Sequence, residues 1–305
     1  MDFSSLEKFC PVATEPSDAR AEQLARAQSN VTTRIEQLEE ELEVQLFSRG
    51  GKRITLTPNG HRMLEYAQRL LSLAEEACGT MSPEQPTGRL RIGSLESTAA
   101  TRLPALLSTY HSTWPAVDLE LCIGTSRSLV EDVESGRLDC AFVADAGCQV
   151  SPELGTRFAE RGLHATRAYA EDMLLVLPAG HPPVKRPEDV KLTSLAAFAG
   201  GCTYRSVLER WLGARDTEEG NHWTVMELVS YHTMLACVAA GSCFALCPKS
   251  ILDLQRAPTD FRTQRMGTID TYLVARSTYS GSAYEALLQS VQAKRHFVSG
   301  SLTHQ

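Results

Sequence analysis

One stretch decides the fold of the N-terminal part of the chain: Gln28-Ser29-Asn30-Val31-Thr32-Thr33-Arg34-Ile35-Glu36-Gln37-Leu38-Glu39. Apolar residues recur at steps of four and three from Val31 to Leu46, which is the period of one helix face. Ser29 or Asn30 can cap the start of this helix, because a short polar side chain accepts from its free N–H groups. The stretch therefore predicts an amphipathic helix with a defined beginning.

The opposite face of this helix is polar and has no carboxylate up to residue 34. Short polar side chains and arginine are the groups that read base edges and phosphates in the DNA major groove. The residues of this helix that we predict to contact DNA are Gln28, Ser29, Asn30, Thr32, Thr33 and Arg34. Beyond Arg34 the helix becomes acidic, so that only its N-terminal half can approach DNA, as in a recognition helix.

A basic turn follows the helix. Arg49-Gly50-Gly51-Lys52-Arg53 stands between two apolar segments and predicts a small β-hairpin, or wing. Two short helices are predicted before residue 28, separated by Pro16-Ser17-Asp18. Three helices and a wing make the winged helix-turn-helix pattern, so we assign residues 1–58 to DNA binding and add Arg49, Lys52 and Arg53 to the contacts. A solvated charged loop on a helical domain is the alternative for the turn.

Composition limits the class of protein. The 305 residues, 43% apolar and 22% charged, describe a soluble globular chain of two or three compact units. No apolar run reaches membrane-spanning length and no signal-peptide core is present, so we expect a cytoplasmic protein without a membrane partner. The net charge is −7, but residues 23–35 and 44–62 contain basic side chains and no acid. Such a local basic footprint favours a specific DNA binder.

A longer helix is predicted from Pro58 to about residue 78. Its near-heptad stripe, typical of a helix that pairs with a partner helix, consists of Leu64, Ala67, Leu71, Ala74 and Cys78. Residues 81–88 contain Pro, Ser and Gly and predict a hinge. We therefore expect residues 59–88 to join two chains as a homodimer, which would present two recognition helices to two half-sites.

From Arg89 the pattern changes to alternating strands and helices, which predicts an α/β unit with a mostly parallel sheet. This order occurs twice, so we expect two Rossmann-like halves. Subdomain I takes about residues 89–163 and 268–300, and subdomain II takes about residues 164–267. A ligand-binding crevice is expected between them, at the carboxyl ends of their strands.

These features together resemble the LysR-type transcriptional regulators. The resemblance rests on the 28–39 stretch and on four further motifs: Leu46-Phe47-Ser48-Arg49, Leu56-Thr57-Pro58-Asn59-Gly60, Gly136-Arg137-Leu138-Asp139-Cys140-Ala141-Phe142 and Val238-Ala239-Ala240-Gly241-Ser242. It implies a winged helix-turn-helix, a dimerising linker helix and a periplasmic-binding-protein-like effector domain in residues 89–305. It also implies a homotetramer that binds double-stranded promoter DNA, with a small-molecule effector that alters this binding.

The segment before the recognition helix departs from the family pattern. The family has a Gly-Ser pair before its second helix and an Ala-Ala pair within it, whereas this chain reads Glu15-Pro16-Ser17-Asp18 and Ala19-Arg20-Ala21-Glu22. The resemblance therefore does not determine the orientation of this second helix or its phosphate contacts.

The resemblance places the effector site at strand ends and helix starts. The residues it indicates, with Ser97 and Thr98 taken from the segment Glu96-Ser97-Thr98, are Ser97, Thr98, Thr125, Ser126, Phe142, Cys202, Thr203, Tyr204, Arg205, Tyr231 and His232. Hydroxyls and N–H groups at helix starts suit a small anion, and Arg205 would add a bidentate ion pair. We expect an anionic or zwitterionic metabolite, such as an organic or amino acid. Each side chain could instead be a helix cap or a surface group.

Cys202 offers an alternative, a redox-sensing regulator of the same family. A helix N-terminus can lower the pKa of a thiol, and Cys202 stands at a strand-to-helix turn. Peroxide-sensing members of the family have a resolving cysteine a few turns later, where this chain has Glu209-Arg210-Trp211-Leu212.

Other classes of protein are less well supported. A cytoplasmic two-lobed solute-binding protein would share the effector domain, but such proteins are normally exported and no signal sequence is present. No GxSxG elbow, HExxH motif or P-loop occurs, and the histidines lack metal-ligand spacing. We therefore expect no enzyme, no cofactor and no metal site.

Overall fold

The computed structural model describes residues 2–14, 30–50, 53–80, 85–145, 158–213, 223–255 and 260–300. The chain divides into two compact units, residues 1–81 with 135–137 and residues 82–134 with 138–305. Among the described helices, none is long and apolar enough to cross a membrane.

The N-terminal unit is helical with one hairpin. Its elements are α1 (Phe3–Thr14), α2 (Asn30–Leu42), β1 (Phe47–Gly50), β2 (Arg53–Leu56) and α3 (Pro58–Thr80). The apolar face predicted for the recognition helix is confirmed for Ile35 and Leu38 of α2, which are buried against Phe9 of α1. The prediction is wrong for Leu46, because α2 ends at Leu42 and Leu46 reaches this core from the turn before β1. The predicted wing is confirmed as the antiparallel pair β1–β2. The helix predicted between residues 17 and 28 lies outside the described residues.

Helix α3 uses part of its apolar stripe inside the unit. Ala67 is fully buried, and Leu64 and Leu71 pack on the core formed by α1 and α2. The stripe predicted for a partner helix is therefore shared with the core of the same chain. The large apolar side chains that α3 leaves exposed are Tyr66 (54%) and Leu73 (61%), which are seven residues apart and so lie on one side of the helix.

The C-terminal unit is built on one sheet. Its strands are β3 (Gly88–Ser94), β4 (Val117–Ile123), β5 (Cys140–Asp145), β6 (Leu163–Pro178), β7 (Ser194–Ala197), β8 (Thr224–Glu227), β9 (Phe244–Pro248) and β10 (Phe261–Arg276). The strands are ordered β4-β3-β5-β10-β6-β9-β7-β8. β3 is parallel to β4 and β5, and β7 is parallel to β8 and β9, so each half has the predicted parallel arrangement.

Two long strands join the halves. β6 and β10 each have 16 residues and pair antiparallel, from Leu163 opposite Arg276 to Phe261 opposite Pro178. The sequence pattern predicts only short strands, at residues 173–177 and near 270–276. It misses the rest because those parts are only partly buried and lack a continuous apolar run. The sheet is therefore mixed as a whole, although each half is parallel.

Helices cover the sheet and begin near the ends of its strands. They are α4 (Glu96–Thr101), α5 (Leu103–Thr113), α6 (Ser126–Ser135), α7 (Thr203–Leu212), α8 (Tyr231–Ala239), α9 (Lys249–Leu252) and α10 (Ser282–Gly300). α4 follows β3 and α6 follows β4, while α7 follows β7 and α8 follows β8. β5 ends beside Asp270 of β10, and β9 ends beside Met173 of β6. The carboxyl ends of the strands of the two halves therefore face each other near the middle of the long β6–β10 pair, and the helix starts that follow them meet there.

Candidate functional site

A cavity of about 190 Å³ lies between the carboxyl ends of the strands of the two halves. Its walls come from the segments that follow β3, β4, β7 and β8, and the lining residues are Leu95, Glu96, Ser97, Ile123, Gly124, Thr125, Phe198, Ala199, Cys202, Tyr204, Leu228, Val229 and Tyr231. Pockets for drug-sized ligands are larger, about 300–1,000 Å³. The cavity therefore suits a small metabolite.

The structure brings some of the predicted effector residues to this cavity and leaves others outside it. Those that line the cavity are Ser97, Thr125, Cys202, Tyr204 and Tyr231. Those that do not line it are Thr98, Ser126, Phe142, Thr203, Arg205 and His232. The apolar lining residues Ile123, Phe198, Leu228 and Val229 are not among those that the sequence predicted. The feature of the sequence that could have indicated them is their position beside the ends of predicted strands.

Ser97 and Tyr204 line the cavity, and their hydroxyl oxygens are buried at its wall. Their exposed fractions are 1% and 3%, and neither hydroxyl has a hydrogen-bond partner among the described residues. Burial raises the pKa of Tyr204 well above its ordinary value, whereas the nearby hydroxyls of Ser97 and Thr271 lower it by less. These hydroxyls lie close to the phenol, but none of the three oxygens has a hydrogen-bond partner among the described residues. Both Ser97 and Tyr204 can therefore donate to a bound ligand.

Glu96 adds a carboxyl group to the same wall. Its Oε2 atom is buried without a hydrogen-bond partner in the described part of the chain. Burial raises the pKa of Glu96, and the backbone N–H of Tyr231 lowers it by less. The cavity thus contains one acceptor that the described protein groups do not satisfy.

Four helix starts converge on the cavity. Leu95 is the N-cap of α4, Thr125 precedes α6, Cys202 is the N-cap of α7 and Tyr231 is the first residue of α8. The N-terminal end of a helix has free N–H groups and a partial positive charge, which attract anionic groups. Thr125 Oγ1 accepts from the N–H of Ser128 at 3.3 Å, so the start of α6 is capped. Helix α7 has no side-chain cap.

Ser126 and Thr203 form a bridge between the halves. Thr203 Oγ1 lies 2.9 Å from Ser126 Oγ and 2.8 Å from the carbonyl oxygen of Ala144. The Ala144 N–H donates to Ser126 Oγ at 3.2 Å. These hydroxyls, which the sequence indicated as ligand contacts, are bonded within the protein.

Arg205 is bonded in a similar way. Its Nε donates to Glu209 at 3.0 Å, and its Nη1 donates to Glu227 and to the carbonyl oxygen of Phe198, both at 3.1 Å. Two carboxylates therefore neutralise this guanidinium, which does not line the cavity. The arrangement does not supply the ion pair with a ligand that the sequence suggested.

Three other predicted residues lie elsewhere in the unit. Phe142 is fully buried in the sheet and stacks on Tyr169, with ring centroids 6.0 Å apart. His232 is exposed, and its N–H donates to Ser230 Oγ at 3.2 Å. Thr98 is buried, and its hydroxyl has no partner among the described residues.

Cys202 lacks the properties of a reactive thiol. Burial raises its pKa, and the N–H groups of Arg205 and Tyr204 lower it by less. A redox-sensing cysteine reacts as a thiolate and is normally accessible, whereas this thiol is buried. No observation at this site favours the redox alternative.

The predicted DNA contacts that the structure describes lie on α2. Thr33 is exposed and Thr32 is half-buried, while Arg34 Nη1 lies 3.5 Å from Asp2 Oδ2. An exposed ion pair of this kind is weak, so a phosphate could displace Asp2. Gln28, Ser29 and Lys52 lie outside the described residues. The structure describes only the backbone of Asn30 at the start of α2, of Arg49 on β1 and of Arg53 on β2.

Glu39 connects the recognition helix to the wing. Its Oε1 accepts from the N–H of Leu46 at 2.6 Å and from the N–H of Phe47 at 3.0 Å. The carboxylate thus holds the start of β1 against α2. The sequence showed Glu39 only as one of several acids in the C-terminal half of the helix.

The chain combines a winged helix-turn-helix unit with a two-halved α/β unit that contains a small cavity. This combination defines a class of protein, the DNA-binding regulators that contain their own effector domain. Two family patterns match the chain: "LysR substrate binding domain" over residues 83–295 and "Bacterial regulatory helix-turn-helix protein, lysR family" over residues 4–61. The chain belongs to the LysR family of transcriptional regulators. This family consists of regulators rather than enzymes.

Proteins similar to this chain in sequence are also transcriptional regulators. The HTH-type transcriptional regulator GltR of Bacillus subtilis is 36% identical over 255 residues, which cover 83% of this chain and 81% of GltR. The regulator SoxR of an Arthrobacter species is 31% identical over 299 residues, which cover 96% of this chain and 97% of SoxR.

Solved structures share the fold at lower identity. Full-length CbnR in complex with its target DNA has a TM-score of 0.63 and 20% identity, and the match covers 96% of this chain and 99% of CbnR. A full-length OxyR variant from Pseudomonas aeruginosa has a TM-score of 0.67 and 20% identity, covering 96% and 95% of the two chains. At this identity the likeness is evidence for the fold alone.

Proposed function

We propose that this regulator binds promoter DNA and that a small metabolite, held in the cavity between the halves of its C-terminal unit, changes that binding. The observation that carries the effector part is the pair of buried, unpartnered hydroxyls of Ser97 and Tyr204 at the cavity wall. A buried hydroxyl without a partner costs about 1–3 kcal/mol, which a ligand with a matching polar group can recover.

Each segment has a proposed role. Residues 1–58 bind double-stranded DNA through α2 and the wing, residues 59–88 join two chains, and residues 89–305 bind the effector. The exposed Tyr66 and Leu73 on α3 support pairing of this helix with a second copy. Homodimers are proposed to combine into homotetramers, as the family resemblance implies, and to act in the cytoplasm, where promoter DNA is met.

The effector is proposed to be an anionic or zwitterionic metabolite. The helix starts at Thr125, Cys202 and Tyr231 support this, because each adds partial positive charge at the cavity. Arg205 is not included in the proposed contacts, since its charge is already neutralised by Glu209 and Glu227.

A ligand screen on the full-length protein tests the proposal. A metabolite that binds only the folded state stabilises it by about 2.7 kcal/mol at a concentration of about 100 times Kd, so it raises the melting temperature. The metabolite found in this way is then added to a mobility-shift assay with DNA from upstream of the protein's own gene. The proposal requires salt-sensitive DNA binding that changes when the metabolite is present. DNA binding that no stabilising metabolite alters would contradict it.

A further inference from the structure

The charge of the cavity wall distinguishes between kinds of effector. Glu96 is an acidic residue of the wall, and none of the described residues that line the cavity is Lys, Arg or His. Its Oε2 atom is buried and has no hydrogen-bond partner among the described residues. A purely anionic ligand in this space would meet a second negative charge without a basic side chain to balance it.

The unpartnered groups form a complementary set. Ser97 and Tyr204 each have an O–H that can donate, and both side chains are more than nine-tenths buried. Glu96 Oε2 can only accept while its carboxyl group is ionised. A ligand that satisfies all three groups needs an acceptor such as a carboxylate and, close to it, a donor such as an ammonium group.

Apart from Thr125 and Tyr231, the remainder of the wall is mostly apolar. Phe198, Leu228 and Val229 line it from one half, and Ile123 lines it from the other half. Val229 is 88% exposed although it lines the cavity, so a ligand can cover apolar surface that is otherwise in contact with water.

We propose, on the basis of the function proposed above, that the effector is a zwitterion with an apolar body, of the chemical class of an apolar α-amino acid. Its ammonium group donates to Glu96 Oε2, its carboxylate accepts from Ser97 and Tyr204, and its side chain packs on Phe198 and Leu228. Glu96 is the residue that selects zwitterions over simple organic acids.

Matched ligands test this assignment by calorimetry on the full-length protein. The probes are the apolar L-amino acids, each beside the acid that lacks only its amino group, for example leucine beside isocaproate. We expect an amino acid to bind the wild-type protein at least roughly tenfold more tightly than its matched acid, since a hydrogen bond to a charged group has about this effect. Glu96→Gln should remove most of this difference by weakening amino-acid binding and leaving the acid unchanged.

Controls separate binding from folding. Glu285→Gln removes a carboxylate from an exposed position on α10 that does not line the cavity, so it should leave both affinities unchanged. If Glu96→Gln fails to fold, the affinities of the wild-type protein for an amino acid and for its matched acid still test the zwitterion assignment.

Two results would overturn the zwitterion assignment. One is a matched acid that binds the wild-type protein as tightly as its amino acid, and the other is no binding by any apolar amino acid. Either result leaves the regulatory function intact if another metabolite alters DNA binding. Loss of the regulatory function itself would instead appear as DNA binding that no metabolite affects.

Discussion

Tyr110 and Tyr204 show what a hydrogen-bond partner contributes to a buried phenol. Tyr110 OH donates to the carbonyl oxygen of Ala283 at 2.8 Å, whereas Tyr204 OH has no partner among the described residues. Both side chains are at least 97% buried. An unpaired buried hydroxyl costs free energy that a paired one does not. The unpaired phenol of Tyr204 therefore lowers the free energy of unfolding of the unliganded protein.

Replacement of these tyrosines by phenylalanine should therefore have opposite effects on stability. We expect Tyr204→Phe to raise the free energy of unfolding by up to about 1 kcal/mol, because it removes an unpaired hydroxyl, and to weaken effector binding. Tyr110→Phe should lower it by about 1 kcal/mol, because it leaves the Ala283 carbonyl without its donor. Urea denaturation measures both, and an equal loss of stability in the two variants would contradict the role given to Tyr204.

At the scale of elements, the recognition helix and the wing act together because Glu39 joins them. The helix contributes its polar N-terminal half to the proposed DNA surface, while its acidic half contains the carboxylate that accepts from Leu46 and Phe47. One helix thus has a binding part and a structural part.

Glu39→Ala should loosen the wing. Hydrogen bonds to a charged group contribute about 1.5–3 kcal/mol when buried, and less for this partly exposed carboxylate, so we expect a loss of roughly 1 kcal/mol in the stability of the N-terminal unit. Hydrogen exchange should become faster at the amides of Leu46 and Phe47. Glu40→Ala on the same helix is the control, because Glu40 is exposed. Similar exchange in both variants would remove the structural role.

The two parts of the DNA surface should differ in what they recognise. Arg34→Ala on α2 is expected to weaken binding to the specific site, since base contacts specify sequence, whereas Arg53→Ala on the wing is expected to weaken binding to any DNA, since phosphate contacts do not. Mobility shifts with the specific site and with unrelated DNA measure both effects. The same pattern in the two variants would refute this division.

At the scale of the C-terminal unit, polar contacts hold the two halves of the sheet together around the cavity. The N–H of Arg127 donates to the carbonyl oxygen of Gly201 at 3.3 Å. Glu171 on the long strand β6 accepts from Arg102 of one half and Ser250 of the other, both at 2.7 Å. The cavity therefore depends on the distance between the halves.

Gly201→Ala should change that distance. Gly201 has a φ of +95°, and a Cβ atom there would lie 2.9 Å from the Cβ of Arg127. We expect Gly201→Ala to lower the free energy of unfolding by about 1–2 kcal/mol, because an L side chain is strained at a positive φ. We also expect weaker effector binding, because the added Cβ pushes the halves apart. Gly213→Ala is the matched control, since Gly213 has a φ of +85° and nothing within 4 Å of an added Cβ. Calorimetry should show weaker binding only for Gly201→Ala, and equal affinities would rule out a role of this contact.

The sequence by itself determined the elements whose evidence is local. The recognition helix was predicted by the apolar steps of three and four from Val31, and the wing by the Gly-containing basic turn that begins at Arg49. The two parallel halves were predicted by the repeated strand-helix order beyond Arg89. Periodicity reports which face of an element is buried, and neighbouring residues are enough to reveal it.

Only the tertiary structure decided which polar side chains face a ligand. Ser97 and Thr203 both stand near helix starts, yet Ser97 Oγ is unpartnered among the described residues, whereas Thr203 meets Ser126, 77 positions away in the chain. Arg205 is neutralised partly by Glu227, 22 positions away. The physical reason is that the partner of a polar group depends on which distant strands pair, and residues close in the sequence do not contain that information.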